Sequence, residues 1–384
     1  MRIALALVCA AMLAGCGTVG GWFGLGGSTP AKPQPAELVE FRPSLTLTRA
    51  WEAQVGAGRA GAFSPASDGQ AIYAAGAGGQ LVKLDLVSGR ELWRVDSKEA
   101  WSAGVGVGEG LVLVGTPKGE VIAYRADSGQ PAWRTRLGGE VLSTPVAAQG
   151  LVAVRGNDGK VWLLSATDGK TRWMYNRALP ALILREPAEL LLTDQALYAG
   201  FPGGKLVALA LNNGAPIWET NVVLPKGTSE LERMSDVTGA LAADGRLVCA
   251  ATYQGRIGCF DQATGNPYWA RDFSGLSGVA MSDRYLYTAD EQGILLAYDK
   301  QRGAGLWRSE TLRGRGLGTP LVLTGNRVAV ADAQGMLHVL GAEEGTLLGR
   351  ASTDGSRIAG RMLGLDRGLV AQTANGGVYA FKIQ

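Results

Sequence analysis

The sequence predicts an all-β fold, an eight-bladed β-propeller of four-stranded antiparallel blades, and three observations carry that expectation. A strand-turn-tryptophan motif recurs with a period near 40 residues. Its last copy is divided between the two ends of the chain, and no segment shows the 3.6-residue apolar stripe of an amphipathic helix.

The motif is seen in "GGQLVKLDLVSGRELW" (78–93), "KGEVIAYRADSGQPAW" (118–133), "DGKVWLLSATDGKTRW" (158–173), "GGKLVALALNNGAPIW" (203–218), "QGRIGCFDQATGNPYW" (254–269) and "QGILLAYDKQRGAGLW" (292–307). Each window holds two glycines ten residues apart and a Trp four residues after the second. A seventh, "QGMLHVLGAEEGTLLG" (334–349), ends on Gly349 instead. The second glycines, from Gly89 to Gly345, follow one another at 38 to 51 residues, the length of one propeller blade. An eighth copy begins as "NGGVYAFKIQ" (375–384) and runs out, while "LTLTRAWEAQV" (45–55) supplies Trp51 with no strand-turn signal before it. The two ends therefore share one blade, which closes the ring and removes two free sheet edges.

Segments such as "LVALAL" and "ILLAY" are apolar at consecutive positions, so both faces must be covered, as when radial sheets stack on one another. Ten residues between glycines is about one strand plus a tight turn. The second glycine takes a backbone angle other residues resist, and the next strand aims Trp51, Trp93, Trp133, Trp173, Trp218, Trp269 and Trp307 into the gaps between blades as structural staples.

Ahead of the repeats, residues 1–15 read as a signal peptide: Arg2, then "IALALVCAAML", eleven apolar residues that are too few to span a bilayer. The following "LAGC" resembles the lipobox of bacterial lipoproteins, which implies an acylated Cys16 as the mature N-terminus. Gly17, rather than Asp, then implies the outer membrane. Residues 16–43 carry this Cys and a Gly/Pro-rich tether, in which Trp22 and Phe23 either rest in the lipid interface or are solvated. The propeller is expected over 44–384.

Charged residues are only 18% of the chain and the formal net charge is +3 with no basic run, so no footprint for nucleic acid is present. Of four cysteines, Cys9 leaves with the signal and Cys16 is the lipid site. Cys249 and Cys259 flank the turn "TYQGR". A three-residue loop between Thr252 and Arg256 would make the two thiols face each other, and a two-residue loop would put them on opposite faces. Two buried free thiols are the expectation and a disulfide the alternative. His338, the one histidine, sits inside the strand "GMLHVL" and reads as a core residue, leaving no material for a Ser-His-Asp triad or a His metal site. No metal site and no cofactor are expected beyond the lipid on Cys16.

The pattern Asp-x-x-[Ser/Thr]-Gly-x-x-x-Trp in "DLVSGRELW" (85–93) and "DQATGNPYW" (261–269) resembles the tryptophan-docking repeats of pyrroloquinoline quinone propellers. Those comprise quinone-dependent dehydrogenases and non-catalytic scaffolds. The dehydrogenases place the quinone under an adjacent Cys-Cys disulfide beside a Ca²⁺ ion. This chain has no adjacent cysteines, so the expectation is a non-enzymatic scaffold. A quinone dehydrogenase is the alternative, and an envelope sensor with a small ligand in the central channel is a third reading.

For a scaffold the informative places are those where the repeat is broken. From a blade Trp to the next inner strand is 12 residues between Trp133 and Pro145 and 13 between Trp307 and Pro320, but 17 from Trp173 to Leu190 and 23 from Trp218 to about Leu241. The two long connections follow neighbouring blades and should sit side by side. "LPALILREP" (179–187) sets Leu182, Ile183 and Leu184 beside Arg185, and "LPKGTSELERMSD" (224–236) offers Glu230, Glu232, Arg233 and Asp236. Aliphatics rimmed by charge are the anatomy of a protein-docking surface, with a loop that folds its leucines inward as the alternative.

Together with the lipobox, the tether and eight tryptophan-docked blades, "PALILRE" and "GTSELERMSDV" (227–237) resemble the BamB family of outer-membrane assembly lipoproteins over nearly the whole mature chain. The resemblance implies a lipid-anchored protein on the periplasmic face of the outer membrane that docks on the periplasmic domains of the barrel subunit BamA and assists insertion of β-barrel proteins. Unfolded outer-membrane protein chains are a further partner it suggests. The family's Leu-x-Leu-Arg and Ser-Asp-Val-Asp segments fall on Leu182, Leu184 and Arg185 and on Asp236. The second Asp is Thr238 here, which removes any salt bridge through that position.

Overall fold

A computed structural model describes residues 34–56, 63–185, 188–358 and 360–384. Cys16, Trp22 and Phe23 lie outside these residues. The described chain forms eight four-stranded antiparallel sheets, each a blade of a propeller. Blades 1 to 7 are built in chain order from residues 66–96, 103–136, 146–176, 190–221, 237–273, 280–309 and 321–352. Blade 8 takes three strands from residues 363–383 and its outer strand, Leu47–Gln54, from the N-terminal side. Trp51 lies opposite Ala380 in that pairing, so the ring closes as the split repeat predicts.

Consecutive strands within a blade are antiparallel neighbours, so turns alternate between the two faces of the ring. One face carries the turns between second and third strands together with every connection from one blade to the next. The other carries the remaining hairpin turns. The second strand of each blade is buried almost throughout: Ala71–Ala75 and Leu197–Phe201 are buried at every position, and only Arg327 at the start of the blade 7 strand is half-buried. Its side chains join eight apolar clusters, each shared by adjacent blades, so the core is a ring of interblade layers.

The repeated Trp and the repeated Gly are two halves of one contact. The ring of Trp51 covers Gly89 of blade 1, Trp93 covers Gly129, and the pairing continues through Trp133 with Gly169, Trp173 with Gly214, Trp218 with Gly265, Trp269 with Gly303 and Trp307 with Gly345. A Cβ on Gly89 would meet the Trp51 ring at 2.5 Å, and φ there is +69°, so both space and backbone angle select glycine. Each indole N–H donates to a carbonyl of the same neighbour, from Leu86 for Trp51 at 3.2 Å to Ala342 for Trp307 at 2.9 Å. The motif's Asp braces the turn: Asp85 accepts the Ser88 N–H and hydroxyl, as Asp261 does for Thr264. At the eighth gap Gly349 makes room for Leu45 and Leu47 of the entering chain, so leucine replaces tryptophan there.

Two features differ from the sequence reading. Cys249 and Cys259 form a disulfide rather than two free thiols, because the turn pairs Ala251 with Ile257 and sets Cys249 directly opposite Cys259 on one face. The compact unit also starts at Pro35, ahead of residue 44, since residues 36–45 lie along blade 7. His338 is fully buried, with Nε2 3.0 Å from Asp332.

Candidate docking site

Three successive blade-to-blade connections, 137–145, 177–189 and 222–236, meet on one face. The middle one is held from both sides. Arg185 donates through Nη2 to both carboxylate oxygens of Glu140 at 2.9 and 3.1 Å, and Asn157 of the neighbouring turn donates to the same carboxylate. On the other side Asp236 accepts the backbone N–H of Leu184 at 2.7 Å and that of Gly203 at 3.2 Å. The third connection is stiffened by Glu232, whose carboxylate accepts the N–H groups of Thr228 and Ser229, which lowers its pKa.

These fasteners decide what faces outward. Leu182 is exposed, while Ile183 and Leu184 turn half inward over a cavity of about 150 Å³ lined also by Leu142, Leu179, Arg155 and Asp236. Arg185 is exposed apart from its grip on Glu140. Leu224 and Leu231, 63% and 60% exposed, add apolar surface on the third connection. Within one short segment Leu182 thus faces outward while its two neighbours fold partly inward.

Asp236 lies deeper than its place in a long loop suggests. The first strand of blade 5 begins at Val237, four residues before the Leu241 expected from spacing, so Asp236 sits at the strand entry and is 3% exposed. Burial raises its pKa against the opposing effect of the two N–H groups and Arg155. Thr238 is fully buried and donates to the Gly275 carbonyl at 2.8 Å, so the threonine side chain does not reach the surface.

Arg155 was not singled out from the sequence. It is 3% exposed on the cavity floor, its Nη1 donates to the carbonyls of Ala188 and Gly200, and burial lowers its pKa to about 10. Its Nε has no partner among the described residues. The signal that could have found it is its position: it ends the apolar strand Leu151–Arg155, where blades 1, 2, 6 and 7 place Ala75, Gly115, Ala289 and Ala331.

Elsewhere, Arg361 and Glu189 pair at 2.8 Å ahead of the inner strands of blades 8 and 4, which stand opposite one another, so the pair crosses the channel mouth. Among the described residues no group of three or more His, Cys, Asp or Glu is placed to hold a metal ion, and no helix is long and apolar enough to cross a membrane.

A tryptophan-docked propeller that gathers its longest connections into one braced, partly apolar face is the class of protein this fold defines. The sequence profile of the family described as outer membrane protein assembly factor BamB matches residues 78–309 and 291–384. The chain belongs to that family. A relative of that name from Burkholderia pseudomallei is 42% identical over 92% of each chain, and one from Nitrosomonas eutropha is 42% identical over 91% of this chain and 85% of its own. The crystal structure of BamB from Moraxella catarrhalis superposes with a TM-score of 0.78 at 26% identity, over 88% of this chain and all of the other. Quinohemoprotein alcohol dehydrogenase from Comamonas testosteroni, at 14% identity and a TM-score of 0.70 over 88% of this chain and 76% of its own, shares the fold alone.

Proposed function

We propose that the chain is a non-catalytic scaffold lipoprotein of the outer-membrane β-barrel assembly machinery, held by lipid on Cys16 at the periplasmic face. It docks on the periplasmic domains of BamA and assists insertion of β-barrel proteins. The observation that carries the docking part is the bracing of 182–185 between Glu140 and Asp236, which fixes the segment that exposes Leu182 and Arg185, while Leu224 and Leu231 are exposed on the next connection. A preorganised patch loses little conformational freedom on binding, so its buried apolar area is converted to affinity rather than spent on ordering loops. Leu182 and Arg185 are the residues that touch the partner in this reading. Leu184 and Asp236 hold them in place. No cofactor is assigned.

The test is titration of the folded chain with isolated BamA periplasmic domains. Binding that is lost on changing Leu182 and unchanged on altering the opposite face supports the reading; binding insensitive to Leu182 and Arg185 overturns the choice of face. Added quinone and Ca²⁺ giving cofactor absorbance or dye reduction would instead favour a dehydrogenase.

A further inference from the structure

The described chain enters the body through a segment whose contacts no propeller strand requires. Ala36 N–H donates to the Arg313 carbonyl at 2.9 Å, and its own carbonyl accepts Arg315 Nη1 at 3.0 Å. Three residues later the Val39 carbonyl accepts both Nη1 and Nη2 of Arg350 at 3.3 Å, and the Arg350 guanidinium lies 5.1 Å over the Phe41 ring. Ser44 and Leu45 N–H groups then donate to the Leu348 carbonyl, and Leu45 and Leu47 fill the space left by Gly349.

The two arginines are aimed from beneath by buried groups. Arg315 Nε donates to Asp332 Oδ2 at 2.6 Å, the same oxygen lies 3.0 Å from His338 Nε2, and Arg350 Nε donates to His338 Nδ1 at 3.4 Å. Asp332 and His338 are fully buried and Arg315 nearly so. A buried Asp-His pair whose charged and imidazole groups all end on two arginines holding backbone carbonyls is more than core filling requires. It is a built site for a strand of chain.

We propose that the outer side of blade 7 is a docking site for the chain's own residues 36–45, and that this strap selects the face from which the lipid tether departs. The geometry gives the reason. Leu348 lies at the start of the outer strand of blade 7, next to the hairpin turn at Gly345, on the face opposite the docking loops. Arg313 belongs to the connection between blades 6 and 7, on the same face as 177–189 and 222–236. Without the strap the folded body begins near Ser44, and a membrane tether would pull on the far face. With it the chain crosses the blade and leaves at Ala36, on the docking face. The strap also keeps ten residues out of the tether, about 30 Å of extended reach. The strap itself needs nothing from the assembly role; its consequence for the membrane rests on the lipoprotein reading.

The test reads the body alone, so it is independent of acylation and of BamA. In the full mature chain, glutamyl endopeptidase cleaves at Glu37 and Glu40 slowly if the strap is docked. In Arg350→Ala, whose guanidinium lies at the surface edge of the site, cleavage is expected to rise at least tenfold with melting temperature and circular dichroism unchanged. Arg315→Ala adds to this effect where it folds. A second measurement uses nitroxides at Glu37→Cys and Lys226→Cys: a single narrow distance in the parent chain, broadened by Arg350→Ala. Fast cleavage of the parent chain, or a broad distance distribution in it, overturns the proposal. Equal cleavage of parent and variants overturns the arginines' part.

Discussion

The carboxylate of Asp236 accepts the backbone N–H of Leu184 at 2.7 Å across 52 positions of sequence, and it does so almost out of contact with solvent. This bond joins the two longest connections of the propeller. An acidic residue that sequence spacing placed among exposed charges is a buried brace, and its removal should be felt through the loop it holds.

Asp236→Ala leaves the N–H groups of Leu184 and Gly203 without their acceptor and Arg155 without its counter-charge. Hydrogen bonds to a charged group contribute roughly 1.5–3 kcal/mol, so affinity for the BamA periplasmic domains is expected to fall about 10- to 150-fold. The loss should be similar in 0.1 M and 1 M salt, although the Debye length shrinks from about 10 to about 3 Å, because the site is buried. Calorimetric titration at both salt concentrations checks this. A loss confined to low salt would mean an exposed rim contact instead.

Leu182→Glu and Leu184→Glu should separate contact from support. Leu182 is exposed, so its change should leave the melting curve in place while weakening docking by roughly 30- to 1000-fold, the cost of a hot-spot truncation of about 2–4 kcal/mol. Leu184, half-buried over the cavity, should lower the melting temperature as well. Thermal melts run beside the titration read both. Normal binding by folded Leu182→Glu would move the docking site elsewhere.

Trp51→Ala removes the staple between blades 8 and 1 and is expected to cost about 3–5 kcal/mol in denaturant unfolding. Deleting residues 45–55 should do more, stripping blade 8 of its outer strand and exposing the edge of Gly377–Ile383. Light scattering should then show aggregation at concentrations where the parent chain stays monodisperse. Unchanged stability and solubility would refute closure by the two ends.

His338 makes stability depend on pH. Burial holds its folded pKa below the ordinary imidazole value of 6.5, against the opposing pull of Asp332, with Arg315 and Arg350 adding to the depression. The unfolded chain therefore binds the proton first as pH falls below about 6.5, and stability drops from there until the folded pKa is passed. Protonation would also turn Nδ1 from acceptor to donor and repel Arg350. Unfolding free energy measured between pH 8 and pH 5 should decline in the parent chain and decline less in His338→Gln. Parallel curves for the two would exclude this residue as the source.

Cys16→Ser should yield a soluble periplasmic protein that is never acylated, seen by fractionation and mass spectrometry. Continued membrane association through residues 17–27 would count against the lipid anchor.

Much of the architecture was legible because it is written at short range and repeated. Two glycines ten apart and a Trp four further on state a strand, a turn and a staple, and the missing half of the eighth copy told which termini pair. Loop lengths after Trp173 and Trp218 pointed to the proposed docking face for the same reason, since an insertion is visible against a period. What spacing along the chain could not reveal is which polar groups meet across blades.

That Asp236 lies beneath Leu184, that Arg155 floors the cavity, that Cys249 faces Cys259 closely enough to bond, and that Arg315 and Arg350 hold the carbonyls of Ala36 and Val39 were decided by tertiary structure alone. The sequence by itself determined the ring, because each blade's signals are local and recur. The fold decided the faces and fasteners, because burial and hydrogen-bond partners between residues from 10 to more than 300 positions apart depend on register and on blade neighbours, neither of which has a periodic signature in the chain.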